Sequence, residues 1–188
     1  MRANRLFAAL CQEDREVGLH SQRAERYCAV LGQALGLSPR ELRKLSLLSL
    51  FHDIGKTMVD PAVLHKPGPL TPAEWDEIKR HPELGRQIAR GIPSLAPIAE
   101  LIFSHHEQWD GTGYPQGLRG REIPHISRMI AVVDAFDAMT SDRLYRPAMP
   151  MEDAVLEIEK NAGRQFDPDI AVVFLAIQRE ARVSLPPK

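Results

Sequence analysis

Residues 41–55 carry leucine on nearly every side of a helix, and the run closes on Phe51-His52-Asp53-Ile54-Gly55-Lys56. A helix that is apolar all round has no face to give to water, so it belongs in the middle of a fold. Its start is marked locally: Ser38 is a candidate N-cap, Pro39 stands at the first helical position, and Glu41 completes a capping box. Its end brings an imidazole and a carboxylate side by side into that buried region. Together they offer a nitrogen and an oxygen ligand to one small volume, and a carboxylate can bridge two cations. Lys56 is expected one turn beyond His52, within reach of whatever such ions hold. The competing account is a buried histidine hydrogen-bonded to a carboxylate, and the rest of the chain decides between them.

The remainder punctuates in the same helical style. Leu6, Phe7, Leu10 and Val17 recur at helical intervals, and residues 27–37 continue them. Thr71-Pro72-Ala73-Glu74 is a second capping box. Pro82, Pro93 and Pro97 mark breaks, and residues 126–139 form an apolar helix that nonetheless holds Asp134 and Asp137. A helix over about 151–162 and a final one opened by Phe166-Asp167-Pro168 follow. Residues 108–124, with Gly111, Gly113, Gly117 and Gly120, make the longest irregular stretch, a length more often functional than passive. No segment alternates with period two and no repeat occurs. The expectation is an all-α, compact helical domain with a metal centre in the bundle core, one domain over residues 1–188.

Composition bounds the chemistry. A formal net charge of -1 gives no global field towards nucleic-acid polymer or anionic membrane, so an anionic ligand must be gripped locally. Apolar stretches are broken by charge well before the length of a membrane span. Cys11 and Cys28 form no framework, which suits a reducing cytoplasm.

His20, His52, Asp53, His81, His105, His106 and Asp134 all fall in helices or at helix ends. Imidazole and carboxylate pointing inward from a helical bundle suit iron, manganese, zinc or related ions. Glu16 lies four residues before His20, on the same helical face. Adjacent helical side chains diverge by about 100°, so His105 and His106 are expected to serve two different ions. Asp134, alone in Met129-Ile130-Ala131-Val132-Val133, needs a strong partner, which a metal supplies. Arg143 and Arg146 either fork onto a phosphate or form a solvated basic helix end. Tyr114 either stacks on a base or packs its own loop.

These residues carry a resemblance. Glu16-x-x-x-His20, His52-Asp53-Ile54-Gly55-Lys56, Lys66-Pro67-Gly68, His81-Pro82 and His105-His106-Glu107 stand in the order and spacing of the HD-GYP family of HD metal-dependent phosphohydrolases. So do Asp110-Gly111-Thr112-Gly113-Tyr114-Pro115, Asp134-Ala135-Phe136-Asp137-Ala138, Ser141-Asp142-Arg143-Leu144-Tyr145-Arg146 and Phe166-Asp167-Pro168. The resemblance implies an enzyme that hydrolyses cyclic di-GMP to pGpG and/or GMP with two or three metals, often iron or manganese. It implies His20, His52, Asp53, His81, His105, His106 and Asp134 as ligands, with Glu16 an extra ligand of a third ion in some members. Lys56, Arg143 and Arg146 match phosphate-contacting positions. Gly113-Tyr114-Pro115 is the family's namesake loop, tied to substrate access and to contact with diguanylate cyclase (GGDEF) domains. Phe51 replaces the usual Leu, Leu144 a frequent Pro and Met58 a frequent Gly, while Asp60-Pro61 reverses the common order; no ligand is lost.

The chemistry stands on the residues as well. Ions bridged by Asp53 would lower the pKa of a shared water towards neutrality and make hydroxide the nucleophile. Asp53 and Lys56 are then the catalytic pair, with Lys56 either stabilising the departing oxygen or protonating it. Two other readings compete: a low-activity cyclic di-GMP sensor or cyclase-docking module, and a di-iron oxygenase. Lys56, Arg143 and Arg146 favour an anionic phosphate over the oxygenase's neutral pocket.

Overall fold

The computed structural model describes residues 3–13, 15–142 and 147–183. Among these the chain is helical and contains no strand; Ala162 and Phe166 form an isolated bridge. Helices α1 (Ala3–Glu13), α2 (Arg15–Ala34) and α3 (Pro39–Phe51) lead into a 3₁₀ turn at Ile54–Met58. The short α4 (Pro61–Leu64) and α5 (Pro72–Ile78) follow, then α6 (His81–Arg90) and α7 (Ala99–Phe103). After the long loop come α8 (His125–Thr140), α9 (Met151–Lys160) and α10 (Pro168–Val183).

Both capping boxes form. The Ser38 hydroxyl accepts from the Glu41 amide while the Glu41 carboxylate takes the Ser38 amide, and Thr71 and Glu74 repeat the exchange. Such caps satisfy amides that the first turn leaves without a partner, and so fix where each helix begins. The core lies where α2, α3 and α8 meet. Leu31, Leu45, Leu48, Phe51, Met129, Ile130 and Phe136 are fully enclosed there. Tyr27, Phe136 and Phe174 interlock edge to face, which ties α10 to the same centre.

The leucine-rich helix is shorter than the sequence suggests. It stops at Phe51, so His52 and Asp53 occupy the junction between α3 and the 3₁₀ turn instead of lying inside a helix. Non-local packing accounts for the change. A Cβ on Gly55 would stand 1.9 Å from the His81 carbonyl oxygen and 2.5 Å from the Gly85 amide nitrogen. The tight turn thus presses its backbone directly onto the start of α6, which only glycine allows. Gly55→Ala is therefore expected to cost about 1–3 kcal/mol of folding free energy, the range of overpacking in a closed interior. Chemical denaturation measures it, and an unchanged midpoint would mean that the two backbones part at little cost.

Candidate metal centre

Packing of the 3₁₀ turn on α6 brings Asp53 against His81, the first residue of that helix. His105 and His106 arrive from the turn that follows α7. The ligand atoms of Asp53, His81, His105 and His106 all lie within 4.8 Å of one another. A second group joins His20 of α2, His52 and Asp134 of α8 under the same limit. Asp53 adjoins both. Its Oδ1 faces His81 Nε2 at 3.3 Å and His105 Nε2 at 3.8 Å, and its Oδ2 lies 3.6 Å from His52 Nε2. All seven histidines and acids expected in the centre are thus assembled. His105 and His106 depart from expectation in one respect: off the helix, their rings tilt together at 4.0 Å and face the same group.

Hydrogen bonding fixes which ring nitrogen points inward. Nδ1 of His52, His81 and His105 donates to the carbonyls of Ser49, Ile78 and Ile102, at 3.2, 2.7 and 2.6 Å. A carbonyl only accepts, so Nδ1 carries the hydrogen and Nε2 presents its lone pair to the centre. His81 Nε2 and His105 Nε2 then meet at 3.2 Å, and His20 Nε2 and His52 Nε2 at 3.3 Å. Facing lone pairs repel unless a cation or proton lies between them. Burial, reinforced by the neighbouring His106, His52 and His81, holds His105 well below the ordinary imidazole range, so a proton is disfavoured there. His106 is likewise pushed down to about 4, chiefly by burial.

The acids match. Burial opposes the charge on Asp53, yet Lys56, His52 and His81 outweigh it and keep the carboxylate ionised. Asp134 is held low in the same way, burial being overcome by the neighbouring His20 and His52 imidazoles. Asp53 Oδ1 is a buried oxygen with no hydrogen-bond partner, which is costly for an anion unless something positive stands before it. His20 differs: against its burial, the neighbouring Asp134 and Asp137 carboxylates push it up to about 9, so a cation bound there takes the place of a proton. Convergent imidazole nitrogens, paired carboxylates and an orphaned oxygen fit divalent cations.

Lys56 reaches Asp53 Oδ2 at 2.6 Å and remains 31% exposed on its outer side. That side looks into a cleft of about 490 Å³, whose walls include Glu16, Asp53, Lys56, Thr57 and His65. Glu16 is exposed on this wall and belongs to neither ligand group. Tyr114 lies against His106, ring centroids 4.9 Å apart. Arg143 and Arg146 lie outside the described residues.

Several residues have supporting roles that the sequence did not assign. Buried Glu107 accepts from the amides of Gln116 and Leu118, folding the 108–124 loop around itself. A Cβ on Gly113 would come within 2.2 Å of the Gln108 nitrogen, so the loop closes on residues 107–108 only with glycine there. The same loop is anchored at Trp109 and Asp110, whose amides donate to the carbonyls of Gln165 and Arg164. Asp137, one turn after Asp134, faces His20 and Arg23. Its only signal was that spacing, a second acid on one side of an apolar helix.

A sequence profile of the HD domain matches residues 6–170. The chain is 37% identical over 169 residues to a cyclic di-GMP phosphodiesterase of Thermotoga maritima, covering 89% of this chain and 46% of that protein. Over 186 residues it is 37% identical to a 3'3'-cGAMP-specific phosphodiesterase 2 of Vibrio cholerae, covering 96% of this chain and 36% of that one. The chain therefore spans less than half the length of these relatives. Among solved structures, an HDG"Y"P protein from Bdellovibrio bacteriovorus shares the fold with a TM-score of 0.68 at 21% identity, over 87% of this chain and 52% of that one. The chain belongs to the HD domain family.

Proposed function

We propose that this chain is a single HD-GYP domain that hydrolyses the phosphodiester bonds of cyclic di-GMP, giving pGpG and/or GMP. The observation that carries the proposal is the pair of His/Asp groups adjoining one carboxylate, Asp53, at the wall of a cleft that also presents Lys56. Its volume is in the range of small-molecule sites. His20, His52 and Asp134 would hold one ion and His81, His105 and His106 another, with Asp53 between them. Iron or manganese suits this mixed nitrogen and oxygen set. Glu16, on the cleft wall, is offered as the ligand of a third ion.

Bound divalent ions supply a deprotonated water at neutral pH and positive charge against the phosphoryl oxygens. The protein's own part is to hold the diester in line, so that the bond to the ribose 3′-oxygen breaks opposite the attacking oxygen. Lys56 faces that region with its ammonium, and Arg143 and Arg146 are assigned to the second phosphate. Gly113-Tyr114-Pro115 borders the centre through His106 and is offered as the docking loop for diguanylate cyclase domains. No described helix is long and apolar enough to cross a membrane. Cys11 and Cys28 are free thiols, and we place the protein in the cytoplasm.

One observation supports a second substrate. The relative specific for 3'3'-cGAMP matches at the same 37% identity as the cyclic di-GMP enzyme. Protein purified anaerobically, with its metals measured by elemental analysis, is to be offered each dinucleotide in turn. Turnover of cyclic di-GMP at least about 10-fold faster is the expected result, a preference equivalent to roughly 1.4 kcal/mol. Faster turnover of 3'3'-cGAMP would reassign the substrate. Binding without turnover by the metal-loaded protein would make the chain a sensor.

A further inference from the structure

The histidines of the centre are not oriented alike. His52, His81 and His105 each donate Nδ1–H to a carbonyl three residues earlier in their own segment. Each ring is therefore set by local backbone. His20 Nδ1 instead donates to Asp137 Oδ2 at 2.7 Å, across 117 residues of sequence. Asp137 is buried and is itself gripped twice by Arg23: Nε donates to Oδ1 at 2.6 Å and Nη2 to Oδ2 at 2.9 Å. Arg23 lies on α2, one turn beyond His20, so the guanidinium and the imidazole clasp one carboxylate from the same helix face.

We infer that Asp137, clamped by Arg23, is the positioning residue that sets the tautomer and aim of His20 and thereby the affinity of the His20–His52–Asp134 site for its ion. The inference rests on the metal-centre reading above. An imidazole whose far N–H meets a carboxylate keeps Nε2 as its donor atom and gains basicity, which a carbonyl gives more weakly. His20 is also the only ligand of either group supplied by α2. Without Asp137 its ring loses the partner that Nδ1 has in this structure and is free to turn about two side-chain bonds. Among the described contacts, neither Asp137 nor Arg23 has a hydrogen bond or ion pair with Asp53, His81, His105 or His106, and that site is expected to respond far less.

The test uses the full chain, freed of metal and titrated anaerobically with manganese(II). Asp137→Asn keeps the side chain's size, and Arg23→Ala leaves the carboxylate in place without its clamp. Bound ions are counted by elemental analysis, and their proximity is read from the electron spin resonance of the manganese. In Asp137→Asn one ion should bind about 10- to 100-fold more weakly, as removal of an outer carboxylate usually causes. The other should keep its constant, and at intermediate manganese the spectrum should change from spin-coupled to that of an isolated ion. Arg23→Ala should weaken the same ion by a smaller factor. Equal weakening of both ions in Asp137→Asn would make Asp137 a general scaffold residue and overturn the inference, as would two unchanged constants. Failure of the unsubstituted protein to bind a coupled pair would instead overturn the metal-centre reading itself.

Discussion

Asp53→Ala is expected to remove phosphodiester hydrolysis, with turnover down by more than about 10³-fold, and to strip the centre of most of its metal. Loss of one donor from an electrostatic catalytic site already costs roughly 10²–10³ in rate. Asp53 meets both ligand groups, Oδ1 towards His81 and His105 and Oδ2 beside His52 and Lys56. Its removal leaves three imidazoles on one side without a carboxylate, a poor set for a hard divalent ion. The fold should survive. Leu45, Leu48 and Phe51 carry the burial of α3, and the 3₁₀ turn is seated by the Gly55 backbone. Circular dichroism should therefore be unchanged while elemental analysis shows the loss. Full turnover by Asp53→Ala would contradict the assigned chemistry at its centre.

What the sequence displayed was whatever is decided within a few residues. The capping boxes at Ser38–Glu41 and Thr71–Glu74 are local exchanges between a hydroxyl, a carboxylate and two amides, and both helices begin where those residues place them. The ligand types were legible for another reason. A carboxylate such as Asp134 in an apolar helix must be compensated, so its presence announces a partner even when the partner is far away. Contacts between distant segments left no such mark. Helix α3 ends at Phe51 because Gly55 abuts the His81 carbonyl, 26 residues later by number. His105 and His106 were expected to diverge as on a helix; they sit on a turn, and both face one group. The clasp of Asp137 by Arg23 and the fastening of the long loop by Glu107 likewise depend on chain folding, and the spacing of Asp137 after Asp134 names neither partner.

Lys56→Ala is expected to lower kcat by roughly 10²–10³-fold with little change in bound metal, the cost of losing one charge aimed at a developing oxyanion. Two observations support this proposed role. It touches Asp53 Oδ2 at 2.6 Å, and Lys56 is a wall of the cleft in which a diester would lie. A residue that only balanced the charge of Asp53 would show itself in metal affinity; one that meets the reaction would show itself in kcat. Lys56→Arg then separates the two catalytic roles that the sequence left open. Arginine keeps the positive charge but does not give up a proton at any working pH. Recovery of most of the lost rate by arginine would mean that Lys56 stabilises charge on the leaving 3′-oxygen. If arginine is as slow as alanine while metal content is kept, proton donation becomes the role, since charge alone would have been restored. Unaltered kcat in Lys56→Ala would remove Lys56 from the reaction and leave it as the neutralising partner of Asp53.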